Sequence, residues 1–124
     1  MYWYLKVFKD FANFEGRARR KEFWTFTLIN MLILWVLMNI FVLAIVFIKV
    51  VAIFSIILIF IFVLITFVPS IAVTVRRLHD TNQSGLLYLI TFIPFGNIVL
   101  LVFMIQEGSP GYNRYGPNPK EVCN

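Results

Sequence analysis

Three stretches of this chain carry no charged side chain: Phe23 to Ile48, Val50 to Val75 and Thr81 to Gln106. Each is at least as long as the roughly 20 apolar residues a helix needs to cross a bilayer. A chain of 124 residues that is 60% hydrophobic and 14% charged cannot hide that much apolar area within itself, because so small a domain has too much surface for its volume. Lipid as the solvent removes the difficulty. The expectation is an all-α, helical integral membrane protein forming a single membrane domain. It has an interfacial amphipathic N-terminal helix (1–15), three transmembrane helices (23–45, 51–75 and 86–105) and a polar tail (106–124). The first apolar stretch begins too late and runs too long for a signal peptide, and no small-residue cleavage site follows it. The chain is therefore expected to be the mature protein.

The amphipathic reading of the N-terminus rests on Tyr4, Val7, Phe8 and Phe11, spaced i, i+3, i+4, i+7, with Lys6, Lys9, Asp10 and Asn13 opposite them. Aromatic residues over a lysine-bearing face suit the membrane interface; a short helix packed on the bundle end is the alternative. Gly16 breaks the pattern. Arg17, Arg19, Arg20 and Lys21 then lead into Phe23 and Trp24, the order expected of snorkelling cations followed by an aromatic belt. Glu22 lies three residues after Arg19, within reach of a local ion pair.

Only Lys49 separates the first two apolar stretches. One continuous helix over 53 residues would reach about 80 Å, so two spans joined by a hairpin of roughly ten residues around Lys49 are expected. The second span is expected to end near Pro69, with Asp80, Thr81 or Ser84 capping the next helix. The third stretch is interrupted by Pro94-Phe95-Gly96-Asn97. A proline-kinked span is the leading expectation. The alternative is a re-entrant hairpin, tolerated only where protein or water shields its backbone.

Net charge is +5, and six of the eleven basic residues precede the first span. Basic residues that flank spans act as topology and anionic-lipid signals rather than as a nucleic-acid footprint, so no nucleic-acid partner is expected. With the N-terminus inside, the three-span reading puts eight basic residues in the cytoplasm and three outside, as the positive-inside rule prefers. The single cysteine, Cys123, has no neighbouring His or Cys at ligand spacing. It reads as an incidental tail thiol, and no metal or cofactor is expected.

Taken together, the polar motifs resemble those of the bacterial domain of unknown function 805 (DUF805) family, the YhaH-like inner-membrane proteins. Phe14-Glu15-Gly16-Arg17-Ala18-Arg19-Arg20-Lys21-Glu22-Phe23-Trp24 resembles the family's opening motif. Arg76-Arg77-Leu78-His79-Asp80 resembles its second. Gly108-Ser109-Pro110-Gly111 and Asn113-Arg114-Tyr115-Gly116-Pro117-Asn118-Pro119 resemble its closing one. They occur in the family's order across nearly the whole chain, with no clear departure from the pattern. The resemblance implies a small multi-span protein of the bacterial inner membrane and implies no activity.

Candidate site residues are Arg17, Arg19, Arg20, Lys21, Arg76, Arg77, His79 and Asp80. His79 beside Asp80 has the elements of a general base with an orienting carboxylate, and paired arginines suit a phosphate. One histidine, with no nucleophile or ligand cluster near it in sequence, argues instead for an interfacial stop motif in which Asp80 caps a helix or pairs with arginine. Within the spans, Asn30 and Asn39 lie nine residues apart, on opposite sides of a helix, and read as interhelical hydrogen-bonding groups. Intramembrane charges and internal repeats, the usual equipment of ion-coupled transporters, are lacking in the sequence. No glycine-based small-xxx-small motif specifies a dimer.

The leading function is therefore a non-enzymatic structural or interaction protein. Its N-terminus would be cytoplasmic, and its basic motifs would contact anionic phospholipid headgroups, another membrane protein or a second copy of itself. An oligomeric channel or transporter component is the alternative, and a lipid- or phosphate-ester-modifying enzyme using His79 and Asp80 is the third reading.

Overall fold

The computed structural model describes residues 1–122; Cys123 lies outside the described residues. Helix α1 spans Tyr2–Lys9, α2 Arg20–Phe47 and α3 Lys49–Asp80. A 3-10 helix over Gly85–Phe92 and helix α4 over Gly96–Ile105 follow, and a terminal turn of helix, α5, covers Pro119–Val122. Among the described residues there is no strand, only one bridge between Asn113 and Gly116.

α2 and α3 form an antiparallel pair. Phe23, Phe26 and Asn30 near the start of α2 share a cavity wall with Ser70, Val73 and Thr74 near the end of α3. Only 11% and 17% of the residues in their most apolar stretches are buried. The core helix of a water-soluble protein would be mostly covered, so exposed apolar sides of this length have lipid as their solvent.

The expected ten-residue hairpin between them does not form. Ile48 alone separates the helices, in an extended conformation with φ −143° and ψ 90°. One non-helical residue suffices because small side chains line the contact beside it: Ala44, Ala52 and Ser55 are buried there and let the backbones approach. Nor does α3 end near Pro69. A proline removes one backbone bond, and a helix in lipid tolerates this where neighbouring groups compensate. The hydroxyls of Thr66, Ser70 and Thr74 around it donate to the carbonyls of Phe62, Thr66 and Ser70 at 2.8, 2.6 and 2.7 Å, so the polar side chains near the proline are satisfied within the helix. Beyond the proline, Val73, Arg77 and Leu78 are buried, so packing continues the helix to Asp80.

α1 is shorter than the sequence pattern suggested. It ends at Lys9, where Asn13 accepts from the Glu15 amide at 3.0 Å and Gly16 takes φ +80°. Its apolar face packs on α2, with Tyr4 and Phe8 ring centroids 5.4 and 5.6 Å from that of Phe26.

The third apolar stretch corrects the leading expectation of a kinked span. Gly85, the first residue of its 3-10 helix, lies against Val75 and His79. At its far end, the carbonyls of Met104 and Gln106 accept from Arg77. Both ends therefore meet the same turn of α3, and the segment between them doubles back as a hairpin. Ile93 is extended, Pro94 cannot continue the 3-10 helix, and Phe95 adopts φ +65°. Gly96 then passes so close to Ile90 that a Cβ would lie 1.7 Å from its carbonyl oxygen. Each arm is about 15 Å long, about half the length a spanning helix needs, and the two arms pack on each other, on α3 and on α2. Ser84 caps the 3-10 helix by accepting from the Leu86 amide at 3.3 Å; Asp80 is engaged elsewhere.

Gly96→Ala is expected to open this hairpin, whereas Ile98→Ala, at an exposed position, leaves it intact. Detergent-solubilised Gly96→Ala should melt well below the wild type and elute as a broadened peak in size-exclusion chromatography.

Candidate functional site

The hairpin topology gathers every polar motif at one end of the spans. Ala18 donates its amide to the Arg76 carbonyl at 3.0 Å, and Ser109 donates its amide to the Asp80 carbonyl at 2.8 Å. The opening and closing segments are thereby tied to the last turn of α3.

Asp80 stands at the centre. Arg17 Nε donates to Asp80 Oδ1 at 2.9 Å, and the side chains of the pair are only 1% and 6% exposed. Arg77 grips Oδ2 from one helical turn away. Charges removed from water cost several kcal/mol each unless paired and hydrogen-bonded, and the remaining guanidinium donors have partners. Arg17 Nη1 bonds the Gly111 carbonyl at 2.8 Å, and its Nη2 bonds the Ser109 carbonyl. Burial presses the Arg77 pKa below the ordinary guanidinium value, while Asp80 pulls it back up. Gly108 passes beside this carboxylate; a Cβ there would meet Asp80 Oδ2 at 2.1 Å, so the sequence needs glycine.

A second ionic cluster forms around Glu22. The expected Glu22–Arg19 pair is not made. Glu22 is fully buried and accepts from Lys6 of α1 at 3.0 Å, and Arg76 Nη1 lies 3.0 Å from its other oxygen. The angle at that contact is not that of a hydrogen bond, so the attraction is coulombic. Arg76 also reaches Asp10 at 3.4 Å. Arg19 is drawn away because it precedes α2 in an extended conformation, where it bonds the Pro119 carbonyl and stacks 5.5 Å from the Trp3 ring.

His79 and Asp80 are not bonded to each other; each has partners of its own. The His79 Nδ1 is 3.1 Å from the Gly16 carbonyl, which can only accept, so Nδ1 carries the proton. The ring stacks on Tyr115 with centroids 3.8 Å apart and planes 5° from parallel. Burial lowers the His79 pKa; the Gly16 carbonyl opposes this and Arg114 adds to it. Beside the stack, Phe14, Tyr112 and Arg114 help enclose a cavity of about 480 Å³.

The eight candidate residues thus divide. Arg17, Arg76, Arg77, His79 and Asp80 face inward and join segments of the chain. Arg19, Arg20 and Lys21 line a surface cavity of about 290 Å³ with Trp3 and Lys120. Sequence reasoning missed Trp3, Lys6, Asp10 and Lys120 as members of these groups. Lys6 and Asp10 lie on the predicted polar face of α1, which was the available signal; Lys120 had none. Asn30 accepts from the Tyr4 hydroxyl of α1 at 3.1 Å, whereas Asn39 bonds its own helix at the Trp35 carbonyl, 2.7 Å away, and makes no interhelical bond.

Two apolar helices of membrane-span length, a shorter apolar hairpin beside them and a buried ionic knot at one end are the parts of a small all-α helical integral membrane protein. The family model described as "Protein of unknown function (DUF805)" matches residues 11–117. The chain is 46% identical over 121 residues to Inner membrane protein YhaI of Escherichia coli (strain K12), covering 97% of each protein. It is 45% identical over the same length to Inner membrane protein YhaH of that strain, covering 97% of the chain and 98% of the relative. No solved structure matches. The chain belongs to the DUF805 family.

Asp80→Ala leaves two buried guanidinium groups without their counter-charge and should cost about 3–5 kcal/mol, read as lost resistance to denaturant in detergent. The lowered His79 pKa means that near the ordinary value of 6.5 the folded protein binds fewer protons than the unfolded chain. Stability is therefore full above about pH 6.5 and declines as pH falls below it. His79→Gln, which keeps a donor for Gly16, should flatten that decline in melting temperature against pH.

Proposed function

We propose that this chain is a non-enzymatic interaction protein of the bacterial inner (cytoplasmic) membrane, and that its basic end holds anionic phospholipid headgroups on the cytoplasmic side. The carrying observation is the surface cavity in which Arg19, Arg20, Lys21 and Lys120 surround the Trp3 indole. Lys6 Nζ and the Arg19 guanidinium lie 5.6 and 5.5 Å from that ring. An interfacial tryptophan fixes depth, and clustered cations supply the field that attracts anionic lipid. Arg20 is partly neutralised by Glu107 at 2.6 Å, and Lys120 lies 3.6 Å from the same carboxylate. Lys21 is exposed, leaving its ammonium for the lipid.

The inner-membrane assignment is supported by the names of the relatives, and the orientation by charge. Ten of the eleven Lys and Arg residues, all but Lys49, belong to the end where the termini of α2 and α3 and the closing motif meet. That imbalance favours a cytoplasmic basic end and an external Lys49. Against catalysis, the Asp80 oxygens are both taken by arginines and His79 is stacked and hydrogen-bonded. Against a pore, Asn39 and Ser55 donate to carbonyls of their own helices.

In a Cys123→Ser background, Lys49→Cys should react with a membrane-impermeant maleimide in intact spheroplasts, and Tyr112→Cys only after lysis; the opposite pattern would overturn the orientation. Phosphatidylglycerol should raise the melting temperature of the wild type in detergent more than phosphatidylcholine does. Removing Lys21 and Lys120 by substitution with Gln should erase that difference, each lost charge weakening anionic-lipid affinity about fivefold. An unchanged preference in the double variant would count against the headgroup site.

A further inference from the structure

Between α2 and α3 lies a cavity of about 270 Å³, separate from the basic end and not involved in the headgroup reading. Its walls are Phe23, Phe26, Met31, Leu34 and Val73, with polar atoms from Thr27, Asn30, Ser70 and Thr74. Asn30 is 8% exposed, and its Nδ2 is a buried donor with no partner among the described residues. Leaving such a group unmatched is costly. Two of the hydroxyls around it are already committed as donors. Ser70 Oγ–H and Thr74 Oγ1–H are already directed to the Thr66 and Ser70 carbonyls, at 2.6 and 2.7 Å. Asn30 Nδ2 is therefore the fully buried donor at this cavity that lacks a partner, which calls for a ligand with an acceptor oxygen.

Depth identifies that ligand. Lys49 is the charge at the tip of the helical hairpin and belongs at one edge of the hydrocarbon. A core about 30 Å thick takes roughly 20 helical residues. Counted back along α2 and forward along α3 from Lys49, that distance ends near Ile29–Asn30 and Pro69–Ser70. Both sides of the cavity thus stand at the opposite edge, where the ester carbonyls of glycerolipids meet the acyl chains. Tyr4, bonded to Asn30 from α1, has its aromatic ring at the same level, as an interfacial residue should.

We infer that this cavity binds the carbonyl head of an acyl chain, with the Asn30 Nδ2 amide donating to the carbonyl oxygen and the first methylenes lying against Phe26, Leu34 and Val73. The volume is below the roughly 300–1,000 Å³ of whole-ligand pockets, so only this part of the lipid enters and the rest stays in the bilayer. An ester-linked phospholipid and a free fatty acid carry the same chemistry.

The test uses the full-length protein in mild detergent, stripped of lipid. It is then offered diester phosphatidylcholine or its diether analogue, which lacks both carbonyls, with bound lipid counted by native mass spectrometry. The zwitterionic headgroup keeps the basic cavity out of the readout. One diester lipid should be retained per chain, roughly three- to tenfold more than the diether form, the range one buried hydrogen bond produces. Asn30→Leu should remove that preference, and Ser70→Leu, which fills the cavity without touching the donor, should lower retention of both lipids. Tyr4→Phe loses the bond to Asn30 but leaves the donor, and should retain the preference. Lys21→Gln with Lys120→Gln should retain it too, so failure of the headgroup reading is seen separately. In protein purified without stripping, a bound mass equal to a diacyl phospholipid or to a fatty acid supports the site and identifies the source. Equal retention of diester and diether lipid, or a preference that survives Asn30→Leu, overturns it.

Discussion

Asp80, held between Arg17 and Arg77, is the contact on which the remaining arrangement depends. Arg17 brings the segment before α2, Arg77 and Asp80 belong to α3, and the carbonyls of Gln106, Ser109 and Gly111 accept the donors that the carboxylate leaves over. A buried ion pair adds little net stability compared with apolar packing, but losing one partner is severe. Its structural effect is therefore one of register. Any arrangement that separates these segments leaves a guanidinium or a carboxylate uncompensated away from water. A spanning third helix would do that, because it would carry Gln106 to the far side of the membrane while Arg77 stayed behind.

The same constraint divides the molecule into two regimes. Toward Lys49, α2 and α3 touch only each other and lipid, and Ala44, Ala52 and Ser55 let them approach closely. Serine and threonine hydroxyls there return to their own helices, so polar atoms are satisfied locally. Toward the basic end, α1, the shorter apolar hairpin and the closing motif surround the last turns of α3, and polar atoms are satisfied over long sequence distances. Asn30 stands at the boundary between the two regimes, and its unmatched donor follows from that position: the lipid end offers no polar neighbour, and the ionic knot lies more than two helical turns away along α2.

Parts of this were legible in the residues. The two long apolar runs, the break at Pro94, the aromatic face of α1 and the concentration of Lys and Arg are properties of short windows. The candidate site was legible only as a list of chemistries. Glu22 beside Arg19 looked like a local pair, yet Glu22 is matched by Lys6 and Arg76, because Arg19 lies outside the helix. His79 next to Asp80 looked like a dyad, yet successive helical residues diverge, and the two side chains have different partners. Lys120 and Glu107 carried no sequence signal at all, since their meeting depends on where the hairpin delivers the tail.

Sequence alone determined the solvent. Long runs without a charge have hydrocarbon as their only favourable surroundings, and helices are the form that satisfies their backbone there. It also determined which end is basic in α2 and α3. Whether the third apolar run crosses or returns, and whether an arginine meets lipid or a carboxylate, was decided only in the tertiary structure. Length and hydropathy are the same for a kinked span and a hairpin of about 20 residues. The difference comes from ion pairs between residues 17, 77 and 80 and from carbonyls near residue 106, and such pairings are set by distance in space rather than along the chain.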